Sequence, residues 1–133
     1  MTDSEIIFIA GLITAISAYF AKNFIFQPLL EFRGVKGRVQ NRLKYNANKI
    51  HIGETETMAE VSKEFRELSC DLEEKYYAIS FKKIVAKTGL IPEMNILSEA
   101  AKNLIFLSNK VGSDDYEHTY EAIEQIKVAL KII

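Results

Sequence analysis

Few side chains in this sequence have the type and spacing that catalysis or metal binding requires. The two histidines, His51 and His118, lie in different halves of the chain, and neither has a cysteine or histidine at the short spacing of a zinc site. Cys70 is the only cysteine, so an intrachain disulfide is excluded, and its apolar neighbours favour a small packed residue. We therefore predict no metal, no cofactor and no catalytic residue.

Acidic side chains form the one pattern that suggests hydrolytic chemistry. The candidate carboxylates are Glu73 with Glu74, Asp114 with Asp115, and Glu60, Glu64 and Glu67 on one helix face. Because hydrolases use paired carboxylates to hold metal ions, a membrane-bound metal-dependent hydrolase is one alternative. Charged residues outside an apolar stripe more often form a solvated helix face, and we favour that interpretation. The segment RGVKGR at 33–38 lacks both the spacing of a phosphate-binding loop and a preceding strand.

Two asparagines fall among apolar helix positions. Asn46 lies between Leu43 and Ile50, and Asn103 precedes Leu104. A buried amide costs free energy unless it is hydrogen-bonded, so each is expected to have a partner. The favoured interpretation is that both set the packing register of helices. The alternative is a buried polar pocket, lined by Asn46 and Asn103, that binds a small-molecule ligand.

An apolar segment near the N-terminus predicts a membrane anchor over residues 1–28. Residues 6–21 carry no charge, and apolar residues resume at 24–26. A helix over 6–26 is about 31 Å long, enough for the roughly 30 Å hydrocarbon core of a bilayer. A buried core helix, an interfacial helix and a signal peptide are the alternatives. The last needs a basic start, whereas Asp3 and Glu5 are acidic.

The charges around this segment predict its orientation. No Lys or Arg precedes it, whereas residues 31–55 carry six Lys/Arg against two acids. Positive flanks stay in the cytoplasm, so we predict a single-pass bacterial inner-membrane protein with its N-terminus outside and its C-terminal domain in the cytoplasm. Contact with anionic lipid at the membrane surface is predicted for Lys22, Arg33, Lys36, Arg38 and Arg42.

Small residues recur along the apolar segment at the spacing of one helix face. They are Ala10, Thr14 and Ala18, with Gly11 and Ala15 beside them. Because small residues let membrane helices approach closely, this face predicts self-association of the span. The alternative is that such residues are simply common in membrane helices.

Beyond residue 28 the sequence predicts a domain, 29–133, built as an antiparallel bundle of about four helices. The predicted helices are 29–50, 57–87 with a bend near Ser80, 92–110 and 114–130. Pro28 kinks or breaks the first junction, and Gly89 and Gly112 end the second and third helices. The second has a heptad-like stripe at Met58, Val61, Phe65, Leu68, Leu72, Tyr76 and Ile79. The fourth has an apolar face at Tyr116, Tyr120, Ile123, Ile126 and Leu130. The fold class is all-α.

Two stretches carry a family resemblance. FRGVKGRVQNRLKYNAN at 32–48 and EAAKNLIFLSN at 99–109 resemble small bacterial single-span membrane proteins with a C-terminal cytosolic helical domain. The resemblance implies the same layout of anchor and bundle, and it implies no activity, ligand or functional residue.

Together these patterns predict a non-enzymatic, membrane-anchored interaction or assembly module, with the lipid bilayer and a second copy or another protein as partners. The alternative is a small sensor-effector of the defence or toxin type, whose bundle binds a ligand and acts through the span. Growth arrest on expression would favour that alternative. Nucleic-acid binding is not predicted, because the basic block is short and has few aromatic residues.

Overall fold

The computed structural model describes residues 2–46 and 55–132, and this part of the chain is helical without any strand. One continuous helix runs over Asp3–Asn46. It consists of α1 (Asp3–Ala21), a π-helical turn (Lys22–Phe26) and α2 (Gln27–Asn46); α3 (Thr55–Tyr77), α4 (Lys82–Lys87), α5 (Met94–Lys110) and α6 (Tyr116–Leu130) follow. The predicted fold class, an all-α helical bundle with one long apolar N-terminal helix, is confirmed.

The first helix begins at a capping box. The Thr2 hydroxyl accepts a hydrogen bond from the backbone N–H of Glu5 at 3.3 Å, and the Glu5 carboxylate accepts one from the backbone N–H of Thr2 at 2.9 Å. Such a box satisfies two of the N–H groups that every helix start leaves without an intrahelical partner. Glu5, one of the acidic residues that argued against a signal peptide, therefore also helps to define where α1 starts.

Helices α2, α3, α5 and α6 form the bundle, and α3 and α5 lie at its centre. Neighbours are antiparallel, since Glu31 near the start of α2 pairs with Lys75 near the end of α3, and Ser62 near the start of α3 bonds Ser108 near the end of α5. We call the end where α2 begins the junction end, and the opposite end the distal end.

Buried apolar side chains at spacings of three and four residues build the core. They include Phe32, Val35, Val39 and Leu43 from α2, Val61, Phe65, Leu68, Leu72 and Tyr76 from α3, Leu97, Leu104 and Leu107 from α5, and Ala122, Ile126 and Leu130 from α6. The predicted stripe of α3 is confirmed from Val61 to Ile79, with Met58 half-buried. Periodic apolar spacing identifies such a face because it repeats once per helical turn.

The predicted apolar face of the last helix is partly wrong. Tyr116 and Tyr120 are exposed, whereas Thr119 and Ala122 are buried beside Ile126. Helix α6 is thus rotated so that small side chains face α5 and the two phenol rings stay in contact with solvent. The Thr119 hydroxyl donates to the Asp115 carbonyl at 2.6 Å, so its burial leaves no unpaired donor.

The predicted helix boundaries differ from the structure at two places. Pro28 does not break the helix, which instead widens into the π-helical turn. The predicted helix 57–87 is interrupted where a bend was predicted near Ser80, because α3 ends at Tyr77 and a separate short helix, α4, begins at Lys82. The predicted extension of the first bundle helix from Asn46 to residue 50 lies outside the described residues.

Candidate functional site at the junction end

Helix α1 stands apart from the bundle with its apolar side chains uncovered. Every residue from Asp3 to Phe20 is exposed, and Ile7 and Phe8 have 70% and 71% of their surface accessible. The helix is long and apolar enough to cross a membrane. A contiguous apolar surface of this size marks a site of contact with lipid or with another protein.

Pro28 explains where the bundle attaches to this helix. In an α-helix the carbonyl of Phe24 would accept from the backbone N–H of residue 28, and proline has no N–H. The chain passes this point in a π-helical turn, where the backbone N–H of Gln27 bonds the Lys22 carbonyl five residues earlier. The Phe24 carbonyl, which lacks its α-helical donor, accepts a hydrogen bond from the backbone N–H of Ser80 at 3.3 Å. The α3–α4 turn is thereby tied to the end of the apolar helix.

Tyr76 joins three segments directly beneath this attachment. Its side chain is buried, and its hydroxyl donates to the Pro92 carbonyl at 2.9 Å. Its ring meets those of Phe32 and Tyr77 edge-on at centroid distances of 5.8 and 5.7 Å. Burial, together with the nearby Tyr77 and Glu93, raises the pKa of Tyr76, because the phenolate would be desolvated there.

The turn after α3 presents an aromatic side chain outward. Phe81 adopts the left-handed conformation, with φ 58° and ψ 41°, and 66% of its surface is exposed. Lys82 secures this turn, since its ammonium group donates to the carbonyls of Ile79 at 3.0 Å and Tyr77 at 3.3 Å. A cation at the carboxyl end of α3 also complements the negative end of the helix dipole.

An open groove lies between the start of α5 and the end of α6. Its volume is about 800 Å³, and its apolar lining includes Leu90, Ile96 and Val128. Lys36 and Lys131 also line it, and desolvation, with the positive charges of Arg33 and Lys131, lowers the pKa of Lys36. The groove therefore combines an apolar wall with charges of both signs, since four glutamates line it beside the two lysines: Glu93, Glu99, Glu121 and Glu124.

The five basic residues predicted to contact lipid lie along the continuous helix at increasing distance from its apolar part. Lys22 belongs to the π-helical turn, and Arg33 and Lys36 follow within the first half of α2. Arg38 pairs with Asp71 at 3.3 Å, and Arg42 approaches Glu64 at 3.8 Å. Arg42 is about 24 Å beyond Phe26 at the helical rise per residue. Lipid contact stays a prediction, and Lys22, Arg33 and Lys36 lie nearest the apolar helix.

The two asparagines occupy different helix interfaces. Asn46 is buried, and its amide donates to the Glu64 carboxylate at 2.9 Å between α2 and α3. Asn103 is half-buried and donates to Gln125 at 3.2 Å between α5 and α6. The structure does not bring the two amides together, although each has the partner that burial requires. A ligand role for either one stays a prediction.

The small-residue face of α1 is exposed in the described part of the chain. Its members, Ala10, Gly11, Thr14, Ala15 and Ala18, are all exposed. A Cβ added to Gly11 would meet no atom within 4 Å. The Thr14 hydroxyl donates to the Ala10 carbonyl at 2.8 Å, which leaves its oxygen able to accept a further bond. Within residues 2–46 and 55–132, no other helix covers this face.

The titratable residues considered for chemistry are dispersed. Glu73 and Glu74 are exposed on α3, Cys70 is exposed on the same helix, and His51 lies outside the described residues. In the described part of the chain no group of three or more His, Cys, Asp and Glu side chains has metal-binding geometry.

The other acid pair has a structural role at the distal end. Asp115 is the N-cap of α6, where its carboxylate accepts from the backbone N–H of His118 at 3.2 Å and from the Lys110 ammonium group at 3.2 Å. Desolvation acts to raise the pKa of Asp115, but the hydrogen bonds from His118 and Lys110 outweigh it and lower that pKa. This carboxylate therefore caps a helix, which explains its partners without any catalytic role.

Sequence reasoning missed the attachment of Ser80 to Phe24 and the exposed turn at Phe81. Pro28 was a usable signal for the first, because a proline always leaves the carbonyl four residues earlier without its helical donor. No local pattern predicted the left-handed conformation of Phe81, since bulky residues rarely adopt a positive φ. Comparisons with protein-family models, with curated proteins and with solved structures found no match to this chain.

Proposed function

We propose that this protein is a single-span membrane protein whose α1 helix anchors a cytoplasmic helical bundle, and that the bundle serves interaction or assembly at the inner membrane. The observation that carries the proposal is the complete exposure of α1 from Asp3 to Phe20. In water this surface would forfeit about 25 cal/mol for every Å² of apolar area left uncovered. A bilayer covers all sides of such a helix, and the helix satisfies its own backbone hydrogen bonds there.

The continuity of the helix supports an anchoring role in particular. Helix α1 passes through the π-helical turn into α2 without a flexible linker, and α2 contributes core residues of the bundle. The Phe24–Ser80 hydrogen bond adds a second connection at the same level. A movement of the span would therefore be passed directly to the bundle, as would a movement of the bundle to the span.

The orientation follows from the distribution of charge. The first Lys or Arg of the sequence is Lys22, and Arg33 and Lys36 follow it, whereas Asp3 and Glu5 lie at the other end of α1. The positive-inside rule then places the bundle in the cytoplasm and Thr2 outside.

Thiol labelling tests this topology, because Cys70 is the only cysteine and is exposed. In spheroplasts, a membrane-impermeant maleimide is expected to leave Cys70 unlabelled until detergent is added. In a Cys70→Ser/Ser4→Cys variant, the thiol at the start of α1 is expected to react before permeabilisation. Labelling of Cys70 in intact spheroplasts together with protection of the position-4 thiol would reverse the orientation, and labelling of both would contradict a span.

The small-residue face supports self-association within the membrane. Gly11→Leu is expected to weaken or abolish oligomers, because the larger side chain holds neighbouring helices apart. The monomer has no atom within 4 Å of a Cβ at this position, so its own fold is unaffected. Crosslinking in native membranes and native mass spectrometry of gently extracted protein measure the change.

Ile16→Leu is the matched control, since Ile16 lies on the opposite face of α1 and is also exposed. It introduces the same residue and is expected to leave the oligomer intact. Equal oligomer levels in both variants and the unmodified protein would show that this face does not mediate self-association. That result would not affect the proposal that α1 anchors the protein in the membrane.

A further inference from the structure

Helix α4 presents an outward face that is both apolar and basic. We define the α4 face as Phe81, Lys83, Ile84 and Lys87. Lys87 lies three residues after Ile84 and four after Lys83, which places these three side chains on one side of α4, and Phe81 is the exposed N-cap residue before them. Phe81 and Ile84 have 66% and 64% of their surface exposed, and both lysines are exposed. Within the described part of the chain neither lysine forms an ion pair. The inner side of the same helix is different, because Val85 is buried against the bundle.

The position of the α4 face is set by a hydrogen bond to the π-helical turn that follows α1. Ser80, immediately before Phe81, bonds the Phe24 carbonyl at 3.3 Å. Phe24 lies in the last turn of the segment 6–26 that is long enough to cross the hydrocarbon core. If α1 spans the bilayer, the α4 face consequently lies level with the headgroups of the cytoplasmic leaflet. No other exposed face of the bundle is tied by a backbone hydrogen bond to the end of α1 in the described residues.

The backbone at Phe81 shows that the outward ring is held there at a cost. A positive φ at a bulky residue is unfavourable and persists only where surrounding contacts enforce it. Those contacts are present, since Lys82 bonds the two carbonyls at the end of α3 and Ser80 bonds Phe24. These hydrogen bonds hold the backbone but do not cover the phenyl ring, which is 66% exposed, whereas the interfacial layer of a membrane would cover it.

We propose that the α4 face docks on the anionic surface of the bilayer beside the span. Phe81 and Ile84 enter the interfacial layer, and Lys83 and Lys87 contact the phosphate groups of anionic phospholipids. This inference rests on the proposed function, because it requires α1 to be the span. Docking would give the bundle a second membrane contact and would make its orientation depend on the lipid charge next to it.

The experiment uses the absence of tryptophan from the sequence, which makes any introduced indole a unique reporter. Full-length Phe81→Trp protein is reconstituted into vesicles of phosphatidylcholine mixed with phosphatidylglycerol, and quenching by shallow brominated lipids is measured. We expect several-fold stronger quenching and a shorter emission wavelength than for Tyr120→Trp. Tyr120 is a matched control, because it is 67% exposed and lies on α6 away from the junction end.

A third variant, Leu12→Trp, separates the two proposals. Quenching of this indole by deeply brominated lipids reports the span itself. If it is quenched while Phe81→Trp behaves like Tyr120→Trp, the docking inference fails and the span stands. If Leu12→Trp is not quenched, the proposed function fails, and with it the inference that depends on it.

Substitution of the two lysines tests the electrostatic contribution to docking on the membrane surface. In a Phe81→Trp background, Lys83→Gln and Lys87→Gln are each expected to lower the ratio of docked to undocked bundles about five-fold, equivalent to about 1 kcal/mol per lysine near an anionic surface. The same changes should have little effect in vesicles of phosphatidylcholine alone. Equal quenching with and without the lysines in anionic vesicles would overturn their role at the membrane surface.

Discussion

Arginine at both Ile13 and Ile16 is expected to remove this protein from the membrane while the bundle stays folded. Both side chains are exposed, at 59% and 48%, on a helix that contributes no residue to the buried core of the described chain, so we expect the change to leave internal packing intact. Each arginine near the centre of a span costs about 2.5–3.5 kcal/mol on insertion. Together they cost about 6 kcal/mol, which lowers the insertion equilibrium by about four orders of magnitude.

The measurement is the fraction of protein that stays in the membrane pellet after an alkaline carbonate wash. Tyr120→Arg/Val128→Arg is the matched control, because it adds the same charge at two residues that are 67% and 77% exposed on α6. The control is expected to stay in the pellet, and both variants should keep helical circular dichroism. Retention of the Ile13→Arg/Ile16→Arg protein in the pellet would show that another part of the chain anchors it.

Leu104→Ala is expected to lower the free energy of unfolding by about 2–5 kcal/mol, because it leaves a cavity at the centre of the bundle. Leu104 is 0% exposed on α5, the helix that packs against both α3 and α6. A loss of this size is a large part of the stability of a domain of this length. Urea titration of the full-length protein in a mild detergent, followed by circular dichroism, measures it.

The neighbouring residue supplies the control for that prediction. Ile105 is 37% exposed and points away from the core, so Ile105→Ala is expected to cost about 1 kcal/mol or less. The two substitutions remove comparable side chains from adjacent positions of one helix, and their difference therefore reports which face of α5 is buried. Equal losses would mean that the face of α5 assigned here to the core is wrong.

Local patterns determined the helical layout of this protein. Three such patterns specify structure in their own part of the chain. They are the apolar stretch 6–26, the stripe from Val61 to Ile79, and the glycines at 89 and 112. Gly89 and Gly112 have φ values of 82° and 83°, a conformation that glycine adopts without a steric penalty. The apolar helix, the main helices of the bundle and the buried face of α3 were therefore predictable from spacing alone, whereas the interruption between α3 and α4 was predicted only as a bend.

Only the tertiary structure decided which of these elements meet. Asn46 needed a partner by its burial, but that the partner is Glu64 depends on how α2 lies beside α3. The rotation of α6, which buries Thr119 and leaves Tyr120 exposed, depends on the shape of the α5 surface opposite it. Side-chain bonds between helices, such as Asn46–Glu64 and Ser69–Ala101, join residues that are distant in sequence, so a pattern confined to one helix does not identify them.

The junction between the apolar helix and the bundle depends on both local sequence and tertiary packing. Pro28 dictated, through its missing N–H, that the Phe24 carbonyl would need another donor. The fold selected Ser80 as that donor and, with Lys82, forced Phe81 into the left-handed conformation. The sequence therefore determined which carbonyl of the apolar helix loses its helical hydrogen-bond donor. The packing of α3 against α2 decided which residue replaces that donor, because only packing brings distant parts of the chain together.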